Sequence, residues 1–422
     1  MGMKRRILAI AAGAAIVASI AVTAAAGAHQ ADPGVTSTTI KIGGTFPLTG
    51  PASLYKVIPA AEKAYFDYIN DHGGVNGRKI DFSILDDGYD PSKTVPLTQQ
   101  LVEQDKVFAV YSSLGTAPNL ATWDYLNQKN VPDVLLATGD SYWGFCARKA
   151  CGPGATKHPW TVGFQTDYPG ESKIYGKYIS ASLPNAKIGV LYQNDAFGKN
   201  YLTGLRVGLG AKKSQIVSAQ SYDSGAASVA QQILAIKAAG ADTFVIFATP
   251  GTAITALATA PKVGWSPTDT FVTNVSASST FLKLAAANGG KVDGAISVSY
   301  LLDATVVATA NEPGVALGKQ ILAQYAPSLD PNNGLTFYGL ANAWTMVYAL
   351  KNAGKTPTRA GLMLALKSLD PKKAKNPFLF PGVSLKTSPT DNFPLEQETL
   401  IRWGGGATGA WVPFGKVYDN VR

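Results

Sequence analysis

Hydrophobic positions along the chain switch repeatedly between an alternating pattern and a helical one. The β-rich run at 40–46 is followed by 57–69, which places its apolar residues on one helical face. Glycines at 73–74 and the Asn76-Gly77 pair then break the chain, and 79–85 returns to a strand pattern. Strands separated by helices in this way are typical of a parallel, doubly wound sheet.

The alternation runs through two cycles and then changes. The first cycle has predicted strands at 40–46, 79–85, 108–112 and 134–138, and helices at 57–69, 92–105 and 116–128. The second has predicted strands at 160–165, 187–193, 216–222, 243–248 and 270–275, and helices at 168–181, 196–209, 227–239 and 254–262. After Gly294 come a strand through Tyr300, helices at 315–325, 337–351 and 359–369, and β-like segments. Extra helices after two complete sheets suggest that the chain returns to its first lobe.

The first 28 residues have the layout of a cleavable secretory signal. Three cations at 4–6 precede an apolar run at 7–22, and a small-residue site follows at 26–28. A transmembrane anchor is the alternative, but Ala and Gly dominate the run. No Cys lies near the cleavage site, so a lipid anchor has no attachment point. We therefore expect an exported protein, periplasmic or extracellular and not lipid-anchored.

Length and charge exclude several classes of function. The 422 residues exceed what one hydrophobic core comfortably supports, so two domains are expected. No low-complexity linker separates the halves, which favours a hinge. The formal charge is +9, but three of the cations belong to the signal and the rest are dispersed. Without a basic run or a second long apolar stretch, we expect neither nucleic-acid binding nor membrane spanning.

The chain has two cysteines, Cys146 and Cys151, five residues apart. In an exported protein this spacing predicts a local disulfide. A metal site would need more ligands, and the three histidines (29, 72 and 158) are scattered. We therefore expect no metal.

Motifs for catalysis are lacking. The segment 354–356, Gly-Lys-Thr, imitates a phosphate-binding loop, but the glycine required five positions earlier is Ala349. Neither a nucleophile elbow nor a dinucleotide fingerprint occurs. Asp86 and Asp87 are adjacent in a strand and should point to opposite faces, one facing the cleft or capping a turn. An enzyme using Asp86, Asp87 or Asp195 as an acid is the weakest alternative, and we expect no enzymatic activity and no cofactor.

Small and hydroxyl-bearing residues follow several predicted strands. These segments are 112–116, 137–140, 194–195 and 248–250. Ligands of open α/β sheets bind outside the carboxyl ends of the strands. Free amide groups at a helix start, aided by the helix dipole, can hold an anion there. Plain N-capping is the alternative for any one segment, but two on neighbouring strands of one lobe favour a carboxylate site. Aromatic residues near these loops could form its apolar walls: Tyr55, Trp143, Phe164, Tyr168, Tyr192 and Phe197.

Six segments together resemble one known family, in order and spacing. They are IKIGGTFPLTGPAS (40–53), GGVNGRKIDFSILDDGYDPSKTV (73–95), ATGDSYWG (137–144), KIGVLYQNDAFGKNY (187–201), VGWSPTDTFVTNVS (263–276) and WVPFGKVY (411–418). The chain resembles the type I periplasmic solute-binding proteins of ABC importers, the leucine/isoleucine/valine-binding family, over nearly all of its length after the signal.

The resemblance implies an α/β fold of two Rossmann-like, doubly wound lobes joined by a three-segment hinge. The N-terminal lobe would comprise 36–165 and 301–385, and the C-terminal lobe 166–300 and 386–422. It also implies a monomeric receptor that binds a small carboxylate-bearing solute, branched-chain amino acid-like or an aromatic or aliphatic acid, between the lobes and delivers it to an ABC permease. A ligand-sensing module for a signalling receptor is the alternative.

The resemblance also implies which residues bind the solute. Its carboxylate would be held by Ser113, Leu114, Gly115, Thr116, Ala137, Thr138 and Gly139. The rest of the cleft would be lined by Tyr55, Phe164, Tyr192, Asp195, Ala248 and Asn274.

One departure from the family pattern bears on the solute. Amino-acid binders of this family use an acidic side chain of the second lobe to meet the ligand ammonium, and the matching stretch 273–276 has none. Asp195 and Asp167 are the candidates to replace it. An unpaired buried ammonium is costly, so the sequence favours organic acids over leucine-type ligands.

Overall fold

The computed structural model describes residues 32–144, 158–388 and 391–419. The predicted signal at 1–28 and the predicted Cys146–Cys151 disulfide lie outside these residues. Across the described ranges, no helix combines the length and the apolar character needed to cross a bilayer.

The first half of the chain forms a parallel sheet of five strands. They are β1 (Thr39–Phe46), β2 (Lys79–Asp86), β3 (Ala109–Tyr111), β4 (Asp133–Leu136) and β5 (Thr161–Gly163). Their spatial order is β2-β1-β3-β4-β5. The parallel arrangement confirms the prediction, but assigning 160–165 to the second cycle was wrong. Asp133 pairs with Thr161 and Val134 with Val162, so β5 closes the first sheet.

The second sheet has seven strands in the order β12-β11-β10-β9-β8-β6-β7. They are β6 (Ile188–Gln193), β7 (Ile216–Tyr222), β8 (Thr243–Phe247), β9 (Asp269–Val272), β10 (Ile296–Ser299), β11 (Gln397–Gly404) and β12 (Ala410–Asp419). Strands β6 to β10 are parallel, whereas β11 and β12 continue the sheet in the antiparallel sense. The β-like segments at the end of the chain therefore extend the second sheet.

Eleven α-helices connect and cover the strands in the described residues. They are α1 (Val57–Asp71), α2 (Pro91–Gln99), α3 (Thr116–Gln128), α4 (Tyr168–Ser182), α5 (Ala196–Leu209), α6 (Ala230–Ala238), α7 (Pro250–Lys262), α8 (Ser279–Ala287), α9 (Pro313–Tyr325), α10 (Gly334–Asn352) and α11 (Arg359–Leu366). Helices α3 and α5 have the predicted bounds. Helix α7 begins four residues early because Pro250 fits the first turn. Helix α8, with only nine residues, was not predicted.

Helix α10 packs against α1, beside the first sheet. This is so although 170 residues, which include strands β6 to β10 of the second sheet, separate β5 from α10. A Cβ atom on Gly339 would lie 2.6 Å from the carbonyl oxygen of Ile58 and 2.9 Å from Ala61 Cβ, so this close approach requires a glycine. Buried apolar residues line most of α10. The last helices therefore return to the first sheet, as the pattern suggested, while the residue limits of the two lobes stay predictions.

A buried carboxyl begins strand β4. Asp133 is 1% exposed, and neither of its oxygens has a hydrogen-bond partner among the described residues. Burial raises the pKa of Asp133 to about 8. The folded protein therefore keeps a proton on this side chain at neutral pH, whereas the unfolded chain releases it near pH 4.

Asp133→Asn should therefore stabilise the protein in a pH-dependent way. Between pH 4 and pH 8 the unfolded wild type binds fewer protons at this site than the folded one, so its free energy of unfolding falls as pH rises. The amide side chain that the variant carries at this position does not titrate, so the free energy of unfolding of the variant does not fall with pH for this reason. We expect its advantage over wild type, measured by urea denaturation, to be larger at pH 8 than at pH 4 by up to about 5 kcal/mol, since each pH unit between the two pKa values contributes about 1.4 kcal/mol. The surface control Asp67→Asn should change this difference by less than about 0.5 kcal/mol. An advantage independent of pH would contradict the assignment.

Candidate functional site

A cavity lies between the carboxyl ends of the two sheets. Its empty volume is about 870 Å³, a figure that includes space open to solvent. Residues from the loops after all five strands of the first sheet line it, and so do residues that follow β6, β8, β9 and β10. Helix α10 and strands β11 and β12 close the remaining side. A solute in this cavity would therefore contact both sheets.

Aromatic and aliphatic side chains form most of the wall. The aromatic members are Tyr55, Tyr89, Tyr168, Phe197, Tyr300, Tyr338 and Trp411. Among the described residues that line the cavity, none is Lys, Arg or His, and the one carboxyl is that of Asp303. An apolar solute body fits such a wall, and its polar groups must be held by hydrogen bonds from neutral groups or to Asp303.

The rim of the cavity is closed by contacts between the two halves. Asn200 of α5 donates from Nδ2 to Asp140 Oδ2, in the loop after β4, at 2.8 Å. Burial raises the pKa of Asp140 to about 6. Tyr89 has a left-handed backbone (φ 66°) and lies beside Gln193 and Tyr222 of the second sheet. These contacts hold the loops of the two sheets together over the cavity.

The two predicted carboxylate-binding loops meet each other. Thr116 Oγ1 and Thr138 Oγ1 are 2.7 Å apart and buried, and Tyr168 donates its hydroxyl to Thr138 Oγ1 at 3.4 Å. Ser113 is engaged elsewhere, because its Oγ accepts from the Thr45 amide at 3.2 Å. The hydroxyl pair Thr116–Thr138 is therefore the polar group that the two loops share.

Three of the main-chain amides in these loops are not free, contrary to the expectation that they would bind an anion. The amide of Leu114 donates to Thr45 O at 2.9 Å, that of Gly115 to Ala137 O at 3.3 Å, and that of Ala137 to Ser113 O at 3.1 Å. The sheet continues past the strand ends through a bridge between Leu114 and Ala137. The amides of Thr116 and Ala117, which begin α3, still lack a partner within the helix.

Five of the thirteen predicted site residues line the cavity: Tyr55, Leu114, Gly115, Ala137 and Asn274. The others, which are not in the lining, are Ser113, Thr116, Thr138, Gly139, Phe164, Tyr192, Asp195 and Ala248. The ring of Phe164 is fully buried against Tyr338. The carbonyl of buried Ala248 accepts from Ser276 Oγ at 2.6 Å.

Asp195 and Asp167, the candidates to replace the family's acid, both cap helices. Asp195 accepts from the Gly198 amide at 3.2 Å, and Asp167 accepts from the Gly170 amide at 3.0 Å. Burial raises the pKa of both, that of Asp167 to about 7. Neither lines the cavity. The acid pair Asp86-Asp87 at the end of β2 also serves its own loops: Asp86 accepts from the amides of Leu48 and Thr49, and Asp87 from that of Tyr89.

Sequence reasoning missed several lining residues with polar groups, among them Tyr89, Tyr300, Asp303 and Tyr338. Asp303 lies in the irregular segment after β10, where no periodicity or motif marks it. The stretch 273–276 has no acid, as the sequence shows, and the carboxyl that lines the described cavity wall is that of Asp303 rather than that of Asp195 or Asp167.

A buried carboxyl behind the cavity holds its wall in place. Glu171 of α4 is 1% exposed and accepts from the Asn274 amide at 2.8 Å and from the hydroxyls of Tyr175 and Tyr201 at 2.7 and 2.6 Å. Burial raises the pKa of Glu171. Asn274 also donates from Nδ2 to Val298 O at 2.7 Å. Its side chain is therefore fixed with Oδ1 as the group still able to accept.

Comparisons of the sequence and of the fold with known proteins both find solute-binding proteins. The family described as "Periplasmic binding protein" matches residues 39–406. A leucine-, isoleucine-, valine-, threonine- and alanine-binding protein of Pseudomonas aeruginosa is 27% identical over 172 residues, which are 40% of this chain and 42% of that relative.

Two solved structures share the fold. A branched-chain amino acid ABC transporter protein of Thermus thermophilus with bound valine has a TM-score of 0.77 at 19% identity, with 90% of this chain and 96% of that one covered. A solute-binding protein of an ABC transporter from Rhodopseudomonas palustris, in complex with 3,4-dihydroxybenzoic acid, has a TM-score of 0.72 at 21% identity, with 91% and 98% covered.

Replacing the buried acid behind the cavity tests its role. In Glu171→Gln an NH2 group, which cannot accept a hydrogen bond, replaces one carboxylate oxygen. Either the Tyr201 hydroxyl or the Asn274 amide therefore loses its acceptor. We expect the free energy of unfolding, from urea denaturation at pH 7, to fall by about 1–3 kcal/mol. The exposed control Glu103→Gln should change it much less, because solvent screens the contacts of a surface carboxylate. Equal effects of the two substitutions would show that the Glu171 contacts do not stabilise this wall.

Proposed function

This chain belongs to the periplasmic binding protein family, and we propose that it is the extracytoplasmic solute receptor of an ABC transporter. The observation that carries the proposal is the cavity between the carboxyl ends of the two sheets, with walls supplied by both. A solute bound there would favour the closed arrangement of the lobes, since only that arrangement brings both walls against it. The receptor would have no catalytic role and would pass its solute to a membrane permease.

The proposed receptor acts as a monomer outside the cytoplasm, periplasmic or extracellular and without a lipid anchor. Its lobes comprise 36–165 with 301–385, and 166–300 with 386–422, and they move about the three connecting segments. The packing of α10 on α1 supports this division, because it ties the segment after 301 to the first sheet. The contact of Asn200 with Asp140 would break when the lobes open.

The proposed solute is a small molecule with a carboxylate on an apolar or aromatic body. Two proteins of the same fold are known with bound valine and with bound 3,4-dihydroxybenzoic acid, and both compounds carry a carboxyl group. Because no cation lines the described cavity wall, neutral donors must hold the carboxylate. Thr116 and Thr138 do not line the cavity themselves, but each directly follows a lining residue, Gly115 and Ala137. We assign the carboxylate to their two hydroxyls and to the amides that begin α3. Tyr55, Leu114, Gly115, Ala137 and Asn274 would contact the body.

Thermal unfolding against a compound library tests this function. The library should contain amino acids and aromatic and aliphatic acids, each with its carboxamide as the matched uncharged control. A ligand at a hundred times its Kd stabilises the fold by about 2.7 kcal/mol, so we expect at least one acid to raise Tm by several degrees. Its carboxamide should give a clearly smaller shift.

Two results would contradict the proposal. If no acid in the library raises Tm, the protein is not a receptor for a small carboxylate. If acid and carboxamide raise Tm equally, the carboxylate is not recognised.

A further inference from the structure

One oxygen of Asp303 is left open within the cavity wall. Asp303 Oδ1 accepts from the Thr305 amide at 2.7 Å and from Thr305 Oγ1 at 2.6 Å. Ser279 Oγ lies 3.3 Å from Asp303 Oδ2 but only 2.7 Å from Thr305 Oγ1. Ser279 has a single hydroxyl proton, and the shorter contact takes it because the Thr305 proton is already directed to Asp303. Asp303 Oδ2 therefore has spare capacity to accept.

The space beside this oxygen is kept clear by a glycine. Gly334, the first residue of α10, lines the cavity together with Asp303. A Cβ atom at position 334 would lie 3.3 Å from Asp303 Oδ2, which is tighter than an ordinary contact. A solute atom can therefore approach Oδ2 from the side where another residue would put a side chain.

The neighbouring polar side chains of the wall also offer acceptors. Ser278 Oγ donates to Asn333 Oδ1 at 2.8 Å, and Ser299 Oγ donates to Leu301 O at 3.0 Å. Asn274 uses its Nδ2 group on Val298 O. The hydroxyl protons of Ser278 and Ser299 are committed to the protein, so these two side chains can present only lone pairs to a solute, whereas Asn274 can present Oδ1 and its second Nδ2 proton.

A half-buried acceptor of this kind gains from a donor on the solute. Burial raises the pKa of Asp303, while the hydrogen bonds from Thr305 and Ser279 and the charge of Lys283 lower it. No Lys, Arg or His from the described chain lines the cavity beside it. A carboxyl oxygen that has lost water and gained no full partner destabilises the closed state until a donor satisfies it.

We infer that Asp303 is a specificity-determining residue, which accepts a hydrogen bond from a hydroxyl or amine group of the solute. The inference rests on the proposed function and narrows its solute class to carboxylic acids that carry a second, donor-bearing group. Amine-bearing solutes then become candidates again. The sequence had disfavoured them because the stretch 273–276 has no acid. An acid without a second donor leaves Asp303 Oδ2 unsatisfied and binds more weakly.

Isothermal titration calorimetry with a series of one carbon skeleton tests this inference. The probes are leucine, 2-hydroxy-4-methylpentanoate and 4-methylpentanoate, which carry an amine, a hydroxyl and no donor; 4-hydroxybenzoate and benzoate form a second, aromatic series. For wild type we expect the donor-bearing member of a series that binds to have a Kd about tenfold or more below that of the donor-free member. Comparing leucine with the hydroxy acid then distinguishes a charged donor from a neutral one.

Two variants and a control connect that preference to Asp303. Asp303→Asn keeps an acceptor for Thr305 but turns the open oxygen into a donor, so the Kd ratio should fall to about threefold or less. Gly334→Ala keeps the carboxylate and obstructs the approach to it, so it should lower the ratio in the same direction. The surface variant Asp67→Asn should keep the wild-type ratio. A ratio of two Kd values does not depend on the folded fraction, so partial unfolding of a variant does not imitate the effect.

The outcomes separate the two proposals. If acids bind and the donor-free member binds as tightly as the others, or if Asp303→Asn keeps the wild-type ratio, the role of Asp303 is refuted and the receptor function stands. If no acid of either series binds to wild type, and the acids of the wider library also fail, the carboxylate receptor itself is refuted.

Discussion

Parallel strands all deliver the chain to the same edge of a sheet, and this constraint determines where the site of this protein can be. Each of the two sheets gathers its loops at one edge, and the two edges meet around the cavity. Residues as distant in sequence as Tyr55, Ala137, Asn274 and Tyr338 come together for this reason. The remaining side of the cavity is formed by helix α10 and by the antiparallel strands β11 and β12. The residues that line this one site therefore range from Tyr55 to Trp411 along the chain.

The polar groups around the cavity are arranged by buried carboxyls that have no cationic partner in the part of the chain that the structure describes. Glu171 fixes the backbone of Asn274, and Asp140 ties the rim to Asn200. With no Lys, Arg or His in the described wall, a solute carboxylate would depend on neutral donors, for which we propose the Thr116–Thr138 pair next to lining residues Gly115 and Ala137, while Asp303 would supply an acceptor in the wall itself. Orientation of the solute then follows from where donors and acceptors lie rather than from net charge.

The sequence predicted the fold and the edge that carries the site well, because both follow from periodicity and turn residues. Helix α5 has its predicted bounds since Asp195 caps it at Gly198. Periodicity could not reveal that the sheet continues through the Leu114–Ala137 bridge and so uses amides that looked free. Helix α8 is short and begins in a run of Ser and Thr, and Asp303 lies in an irregular crossover, so neither gave a pattern to detect.

We propose that a solute bound between the two sheets has its carboxylate held by Thr116, Thr138 and the start of α3. A crystal structure of the protein with its tightest-binding acid tests this most directly. We expect carboxylate oxygens within about 3.2 Å of the Thr116 or Thr138 hydroxyl or of the Thr116 or Ala117 amide, with the apolar body against Tyr55. A solute found outside the cavity, or one whose carboxylate contacts none of these groups, would contradict it.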